Sequence, residues 1–245
     1  MKHIEHLHPE FREQARALLS GFVEHCEFSR TLVGDIRHFI HFGGRKYGLP
    51  IFTVFGPPHP DLETHFIGLV GHNQGRDTTL PEILMQLIER LALQPRVATG
   101  TVLRVLPVAD PVGFEGDAAA SPELAALLDR QIDAFHTSAL DGVVSIRTST
   151  DDALHVKVAG PSPVRQAVRR SWDALDRLLS EDTIVAEGAS LRLLEAPAEG
   201  PWEVEIAVPR SWASNLAVHW ISQLLVVFLR AHAEAQLHAL PELAE

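Results

Sequence analysis

The chain has 245 residues, of which 46% are hydrophobic and 22% are charged, a balance that supports a folded core and excludes an intrinsically disordered chain. Its 32 acidic residues outnumber its 21 lysines and arginines and give a formal net charge of −11, so we expect no nucleic-acid partner, because such a surface repels phosphates. The single cysteine, Cys26, excludes an internal disulfide and any metal site built on several cysteines.

Two segments bear on where the protein is located. The N-terminus carries charged residues and histidines, whereas a secretory signal peptide needs an apolar stretch there. The most apolar segment, residues 220–229, contains Ser222 and Gln223 and is too short to span a bilayer. We therefore expect a cytoplasmic protein with no membrane partner.

The spacing of apolar residues predicts alternating helices and strands. The predicted elements are a helix over 9–26, a β-hairpin of 39–42 and 49–55, a strand over 64–70, a helix over 80–93, a strand over 101–108, a helix over 122–135, strands over 142–147 and 154–158, a helix over 163–180, a strand over 202–208 and a helix over 212–237. Such alternation predicts an α/β fold, a mainly parallel mixed sheet with helices on both faces. We expect one domain over 1–245, with 1–38 as an N-terminal helical extension.

Several common catalytic signatures are missing from the chain. It has no Gly-x-Ser-x-Gly elbow, no phosphate-binding loop, no Gly-x-Gly-x-x-Gly and no His-Glu-x-x-His. In α/β sheets, ligands bind beyond the carboxyl ends of the strands. The candidate site residues are therefore those that follow or end the predicted strands, in the segments 71–77, 109–113, 147–149 and 203–205.

Four segments follow one another in an order that matches a known family. They are Gly44–Arg45 with Leu49–Pro50–Ile51, IGLVGHNQG (67–75), LPVADPVGFE (106–115) and WEVEIAVP (202–209). Together they resemble the zinc carboxypeptidase family, including its succinylglutamate desuccinylase and aspartoacylase branch. The resemblance implies that they are the first hairpin, the Gly-x-His-x-x-Glu strand, the Pro-x-x-Asn-Pro-Asp-Gly turn and the strand of the catalytic glutamate. It spans about 39–232 and depends on order and spacing, because no single motif is intact.

The departures from this family concern its zinc site. The family holds zinc through a His, a Glu three residues later and a second His that ends a later strand, which leaves one position for water. His72 matches the first ligand, but Gly75 stands at the glutamate and Arg147 at the second histidine. A guanidinium cannot ligate a metal. The resemblance therefore implies a divergent member with an incomplete zinc site. No cofactor is expected, and His72 is the only metal ligand if a metal binds.

The remaining family positions give three more candidates. The catalytic glutamate aligns with Glu205, or with Glu203 as the register alternative, since both share one face of the strand. We expect Arg147 to pair with one of them in the former metal site. If that pair is partly buried, removing one partner costs about 3–5 kcal/mol. Asp110 stands at the Asn of the family's Pro-x-x-Asn-Pro turn, so the predicted pocket consists of His72, Asp110 and Arg147.

The sequence thus favours a protein that has lost metal-dependent catalysis and acts in binding or assembly. Its expected ligand is a small molecule or a peptide terminus. The alternative is an active zinc-dependent hydrolase, either a carboxypeptidase or an amino-acid deacylase, with ligands from unexpected positions. A third interpretation is a structural homo-oligomer. The observation behind it is an apolar stripe in the last helix, formed by Leu216, Trp220, Leu224 and Phe228, which suits either a core or an interface.

Overall fold

The computed structural model describes residues 20, 21, 24, 26, 29–61, 63–73, 75–116, 121–181, 190–198 and 200–239. Its strands are β1 (Leu32–Phe42), β2 (Arg45–Phe55), β3 (His65–His72), β4 (Thr101–Leu106), β5 (Gly142–Ser149), β6 (Ala153–Ala159), β7 (Ser190–Ala196) and β8 (Trp202–Pro209). Its helices are α1 (Thr79–Leu93), α2 (Pro111–Glu115), α3 (Pro122–Thr137), α4 (Ser162–Glu181) and α5 (Ser214–Ala239), with a 3₁₀ helix at Pro95–Ala98. The helix predicted over 9–26 lies mostly outside the described residues.

The eight strands form one mixed sheet in the order β1-β2-β4-β3-β5-β8-β6-β7. The four central strands β4, β3, β5 and β8 run parallel to one another. The strand pairs β1–β2, β2–β4 and β6–β8 are antiparallel. The predicted fold class is confirmed. Because β3, β5 and β8 are parallel neighbours, their carboxyl ends meet at one edge of the sheet, where ligands bind in such folds.

Helices cover the two faces of this sheet unequally. On one face, α1, α4 and α5 form the main core, where Leu84, Val168 and Ile221 are buried. On the other face, Val112 of α2 and Phe135 of α3 pack in a smaller core with residues from strands β1 to β5. The second face of β6, β7 and β8 contributes no residue to this smaller core, so polar side chains can project from it.

The long C-terminal helix α5 lies within the main core. Trp220, Leu224 and Phe228 are each at most 8% exposed, and the half-buried Leu216 packs against the same core. The predicted stripe is therefore a core face and not a free interface. By length and hydropathy alone, Ser214–Leu237 could cross a membrane, and 61% of its most apolar window is buried inside the protein.

Two edge strands differ from the sequence prediction. Strand β1 begins at Leu32, inside the segment predicted as a helical extension, and its register shifts between Asp35 and His38. Strand β7 is absent from the sequence prediction, because its sequence SLRLLEA alternates polar and apolar residues only over its first four positions and the pattern breaks at Leu194. The predicted hairpin is confirmed. Its turn is Gly43–Gly44, and both glycines have the positive φ that a two-residue hairpin turn requires.

Candidate functional site

A cavity of about 460 Å³ lies along one face of β5 and β8 and reaches the carboxyl end of β3 at His72. It is lined by His72, Asn73, His136, Val143, Ser145, Arg147, Glu203, Val204 and Glu205. Most of these residues come from the three strands, and His136 comes from the last turn of α3. The structure thus brings together His72, Arg147, Glu205 and Glu203, which sequence reasoning selected separately.

Strand register determines which side chains face this cavity. In β5, Val144 and Ile146 point into the main core, so Ser145 and Arg147 project from the opposite face. The same alternation in β8 directs both Glu203 and Glu205 toward the cavity. Cross-strand pairing places Arg147 beside His72, Ser145 beside Glu205, and Lys157 of β6 on the other side of Glu205.

An ion pair between Arg147 and Glu205 lies beside the cavity. The Nε of Arg147 donates to Oε1 of Glu205 at 2.5 Å, and Nζ of Lys157 lies 3.6 Å from Oε2. Burial raises the pKa of the Glu205 carboxyl, but the hydrogen bond and charge of Arg147, together with Lys157, hold the pKa below its usual range. Glu205 is therefore ionised at neutral pH. The structure assigns the expected pair to Glu205 and not to Glu203.

The exposure of this pair changes its expected energy. The side chains of Arg147 and Glu205 are 45% and 34% exposed, so water screens much of their attraction. An exposed ion pair contributes about 0–1 kcal/mol, and not the roughly 3–5 kcal/mol that breaking a buried pair costs. The partial exposure of both side chains therefore favours the smaller value for this pair, whose energy stays a prediction, and the charges remain accessible to a ligand.

His72 ends β3 and is a neutral imidazole. Its pKa is lowered by burial and then by the charges of His136 and Arg147, which together outweigh the opposing effect of Glu205. His136 also lines the cavity, and its buried Nε2 has no hydrogen-bond partner in the described part of the chain. His72 therefore offers a hydrogen-bonding ring nitrogen to the cavity without adding positive charge at neutral pH.

The loops that follow β3 and β4 are held together by an amide. Nδ2 of the buried Asn73 donates to the carbonyls of Asp110 and Gly75 at 3.0 and 3.3 Å, and its Oδ1 accepts from the Asp110 amide at 3.0 Å. The Asp110 carboxylate accepts from Gly113 N at 2.8 Å and so is the N-cap of α2. Asp110 therefore supports the cavity rim and is not among the residues that line the cavity.

Gly75 lies in the turn after β3. Its φ of 57° is in the left-handed region that favours glycine, and a Cβ there would contact nothing within 4 Å. Within the described ranges, no group of three or more His, Cys, Asp or Glu side chains is arranged to hold a metal ion. His136, Glu203 and Glu205 line the same cavity as His72, but these described side chains are not arranged with it as a metal-ligand group.

Sequence reasoning did not single out His136 or Lys157 of this site. Asn73 lies in the candidate segment 71–77, but its role depends on Asp110, which is 37 positions away in sequence. His136 lies at the end of a helix and reaches the cavity only because α3 packs across the sheet. Lys157 lies on a strand that the sequence did predict, but its contact with Glu205 requires the antiparallel register of β6 and β8. The sequence signal for Lys157 is its positive charge between the apolar residues Val156 and Val158.

Solved structures with a similar fold are metallopeptidases and related hydrolases. A candidate metallopeptidase from Shewanella denitrificans aligns with a TM-score of 0.61 at 13% identity, over 91% of this chain and 90% of that chain. A metallo-carboxypeptidase from Burkholderia cenocepacia gives 0.56 at 14% identity, over 91% and 69%. A succinylglutamate desuccinylase/aspartoacylase from Rhodobacter sphaeroides gives 0.53 at 12%, over 83% and 66%. The chain therefore has a carboxypeptidase-like α/β fold.

Comparisons of sequence add nothing to this result. No protein-family model matches the chain, and no curated protein sequence matches it. Identities of 12–14% to the three structures establish the fold alone. Since one fold hosts many activities, the function has to be argued from the residues of the cavity.

Proposed function

We propose that this protein binds a carboxylate-bearing small molecule or peptide terminus in the cavity and does not catalyse metal-dependent hydrolysis. The observation that carries the proposal is the Arg147–Glu205 pair beside His72, the last residue of β3. Metal-dependent members of this fold would need a set of metal ligands at this edge. Here the same edge carries a permanent guanidinium charge.

The donor set does not suit zinc. A structural or catalytic zinc needs at least three protein ligands, and His72 supplies one. Gly75 has no side chain, and Arg147 cannot lose its proton to become a ligand. The positive charge of Arg147 also lies next to His72 in the sheet, where it opposes the approach of a cation.

The same residues suit an anion. The Arg147 guanidinium uses Nε for Glu205, and no described residue accepts a hydrogen bond from its Nη atoms. Two parallel N–H groups of a guanidinium match the two oxygens of a carboxylate. The neutral His72 can donate a further hydrogen bond through one ring nitrogen. These groups face a cavity that is open to solvent, so a ligand can reach them without a rearrangement of the core.

Zinc content after purification without chelator tests the proposal. We expect the purified protein to contain far less than one equivalent of zinc by elemental analysis, and to bind carboxylates in a manner that depends on Arg147. One tightly held zinc per chain would contradict the proposal. It would favour the alternative, an active zinc-dependent carboxypeptidase or deacylase with ligands from other positions, which the fold and His72 support.

A restored ligand set provides the matched control. If Gly75 and Arg147 occupy the two lost ligand positions, Gly75→Glu combined with Arg147→His should gain zinc binding in competition with a chromogenic chelator. Each single variant should gain much less. A glutamate at position 75 must adopt positive φ, which costs roughly 1–2 kcal/mol, so the variant needs a thermal melt to verify that it folds. A folded double variant that still rejects zinc would mean that these positions are not equivalent to the family's ligands.

A further inference from the structure

We propose that the ligand is amphoteric and is bound at both ends, with its carboxylate on Arg147 and a cationic amine on Glu203. This inference rests on the proposed function and adds to it a second charge and a length. The ligand class is a linear molecule with an ammonium group and a carboxylate separated by several bonds.

A second cavity continues from the first along the sheet. It has a volume of about 280 Å³ and is lined by residues of β6, β7 and β8, and it shares Glu203 and Glu205 with the first cavity. Its lining includes Leu194, Ala159 and Ala196. Because Arg147 and Glu203 both line the first cavity, the stem of a linear ligand lies in the first cavity, and the second cavity extends the free space beyond the amine end.

Of the carboxylates that line these two cavities, Glu203 alone has no partner among the described residues. Glu205 is neutralised by Arg147 and Lys157. Glu195 accepts two hydrogen bonds from Arg169, at 3.0 and 2.8 Å. Glu203 is exposed and forms no hydrogen bond or ion pair with any described residue. An uncompensated negative charge thus lies where the two cavities meet, and a ligand amine would neutralise it.

Strand geometry sets the distance between the two charges. Glu203 pairs with Val143, four residues before Arg147 on β5, which corresponds to about 13 Å along the strand. Arg147 donates to Glu205, which is two residues from Glu203 and so about 7 Å away along β8. The guanidinium therefore lies roughly 7–13 Å from Glu203. An extended chain spans about 3.4 Å per residue, so a tripeptide matches this distance and a single amino acid does not.

Binding of trialanine, measured by isothermal titration calorimetry, tests this inference. We compare it with N-acetyl-trialanine, trialanine amide, L-alanine and ω-aminocaprylic acid, whose charges are separated by a similar length without peptide groups. Wild type should bind trialanine about tenfold more tightly than N-acetyl-trialanine. If ω-aminocaprylic acid binds as tightly as trialanine, the protein recognises the two charged ends alone. If only trialanine binds more tightly than N-acetyl-trialanine, the ligand is a peptide.

Two variants connect the effect to its residues. Glu203→Gln should remove the preference for a free amine, so that trialanine and N-acetyl-trialanine bind about equally. The matched control Glu123→Gln, at an exposed position on α3, should keep the preference. Arg147→Met should weaken every carboxylate probe and should not affect the order of the amine forms.

The remaining outcomes separate the two proposals. If N-acetyl-trialanine binds through Arg147 as tightly as trialanine does, the amine site is wrong and the proposed carboxylate site stands. If the preference for a free amine persists in Glu203→Gln, another residue binds the amine and the assignment to Glu203 is overturned. If no carboxylate probe binds to wild type, both proposals fail.

Discussion

Two histidines lie at opposite ends of the parallel strands and differ in what surrounds them. His72 ends β3 and lines the open cavity, whereas His232 of α5 lies beside His65 and Trp202, the first residues of β3 and β8. Burial is the main cause of a lowered pKa at both. The neighbours of His72 are Arg147 and Glu205, which a ligand can reach, but His232 is 1% exposed and packs among aromatic rings.

This difference shows that a shifted pKa does not by itself identify a functional site. The pKa of His232 falls to about 4, and both of its ring nitrogens are buried without a hydrogen-bond partner among the described residues. Its neighbours are the rings of Trp202, Phe228 and His65. The lowered pKa of His232 is therefore a consequence of its packing in the core and affects the stability of the fold. His72 combines a pKa shift with accessible charges and a cavity, and this combination supports a binding site.

The largest expected effect concerns two adjacent residues of β8 that point to opposite faces. Trp202 is 4% exposed, stacks edge-on against Phe228 and lies tightly against Gly142 and Gly160. Trp202→Ala should lower the free energy of unfolding by about 3–5 kcal/mol. Glu203→Gln, one residue later on the open face, should change it by less than about 0.5 kcal/mol. Urea denaturation followed by circular dichroism measures the free energy of unfolding of both variants. Similar losses for the two variants would mean that the two faces of β8 do not differ in burial.

The second effect is the pH dependence that His232 imposes on stability. Its pKa is 6.5 when unfolded and about 4 in the folded protein, so the unfolded chain binds the proton more readily between these values. The stability associated with neutral His232 is complete above pH 6.5 and is lost as the pH falls toward 4, by about 3 kcal/mol.

A variant without this group tests the effect directly. His232→Leu should flatten the acid side of the stability profile between pH 6.5 and 4, because leucine fills the site without a titratable group. His41→Gln, at an exposed position on β1, should retain the wild-type dependence. An unchanged profile in His232→Leu would show that another group causes the acid sensitivity.

The smallest effect concerns the Arg147–Glu205 pair. A double-mutant cycle with Arg147→Met and Glu205→Gln should give a coupling energy of about 1 kcal/mol or less, because both side chains are partly exposed. The coupling should be present above pH 4.5, the ordinary pKa of the carboxyl, and should disappear as Glu205 protonates at lower pH.

The register alternative provides the control for this cycle. A second double-mutant cycle, with Arg147→Met and Glu203→Gln, should give no measurable coupling energy, since Glu203 does not contact the guanidinium. A coupling of about 3 kcal/mol with either glutamate would mean that the pair is buried and closed to ligands. The surroundings of Arg147 would then be buried, as those of His232 are.

The sequence predicted a helix or strand correctly where a single local pattern determined it. Ser121 and Pro122 predicted the start of α3, and the Ser121 hydroxyl does accept a hydrogen bond from the Leu124 amide at 3.1 Å. The continuous apolar run ending at Gly71 predicted β3, and the alternation of helices and strands predicted the α/β class. These signals involve residues that are neighbours in the chain, so they can be recognised before any tertiary contact is known.

The composition of the site was decided by tertiary structure. Glu203 and Glu205 share a face by the two-residue period of a strand. Only the alignment of β8 with β5 and β6 brings Glu205 to Arg147 and Lys157 and leaves Glu203 without a partner among the described residues. The solvent exposure of the pair, which reduces its energy to about 1 kcal/mol or less, depends on the absence of a covering helix over that part of the sheet in the described residues. A linear sequence specifies side-chain chemistry and local period, but register and coverage arise from contacts between residues that are distant in the chain.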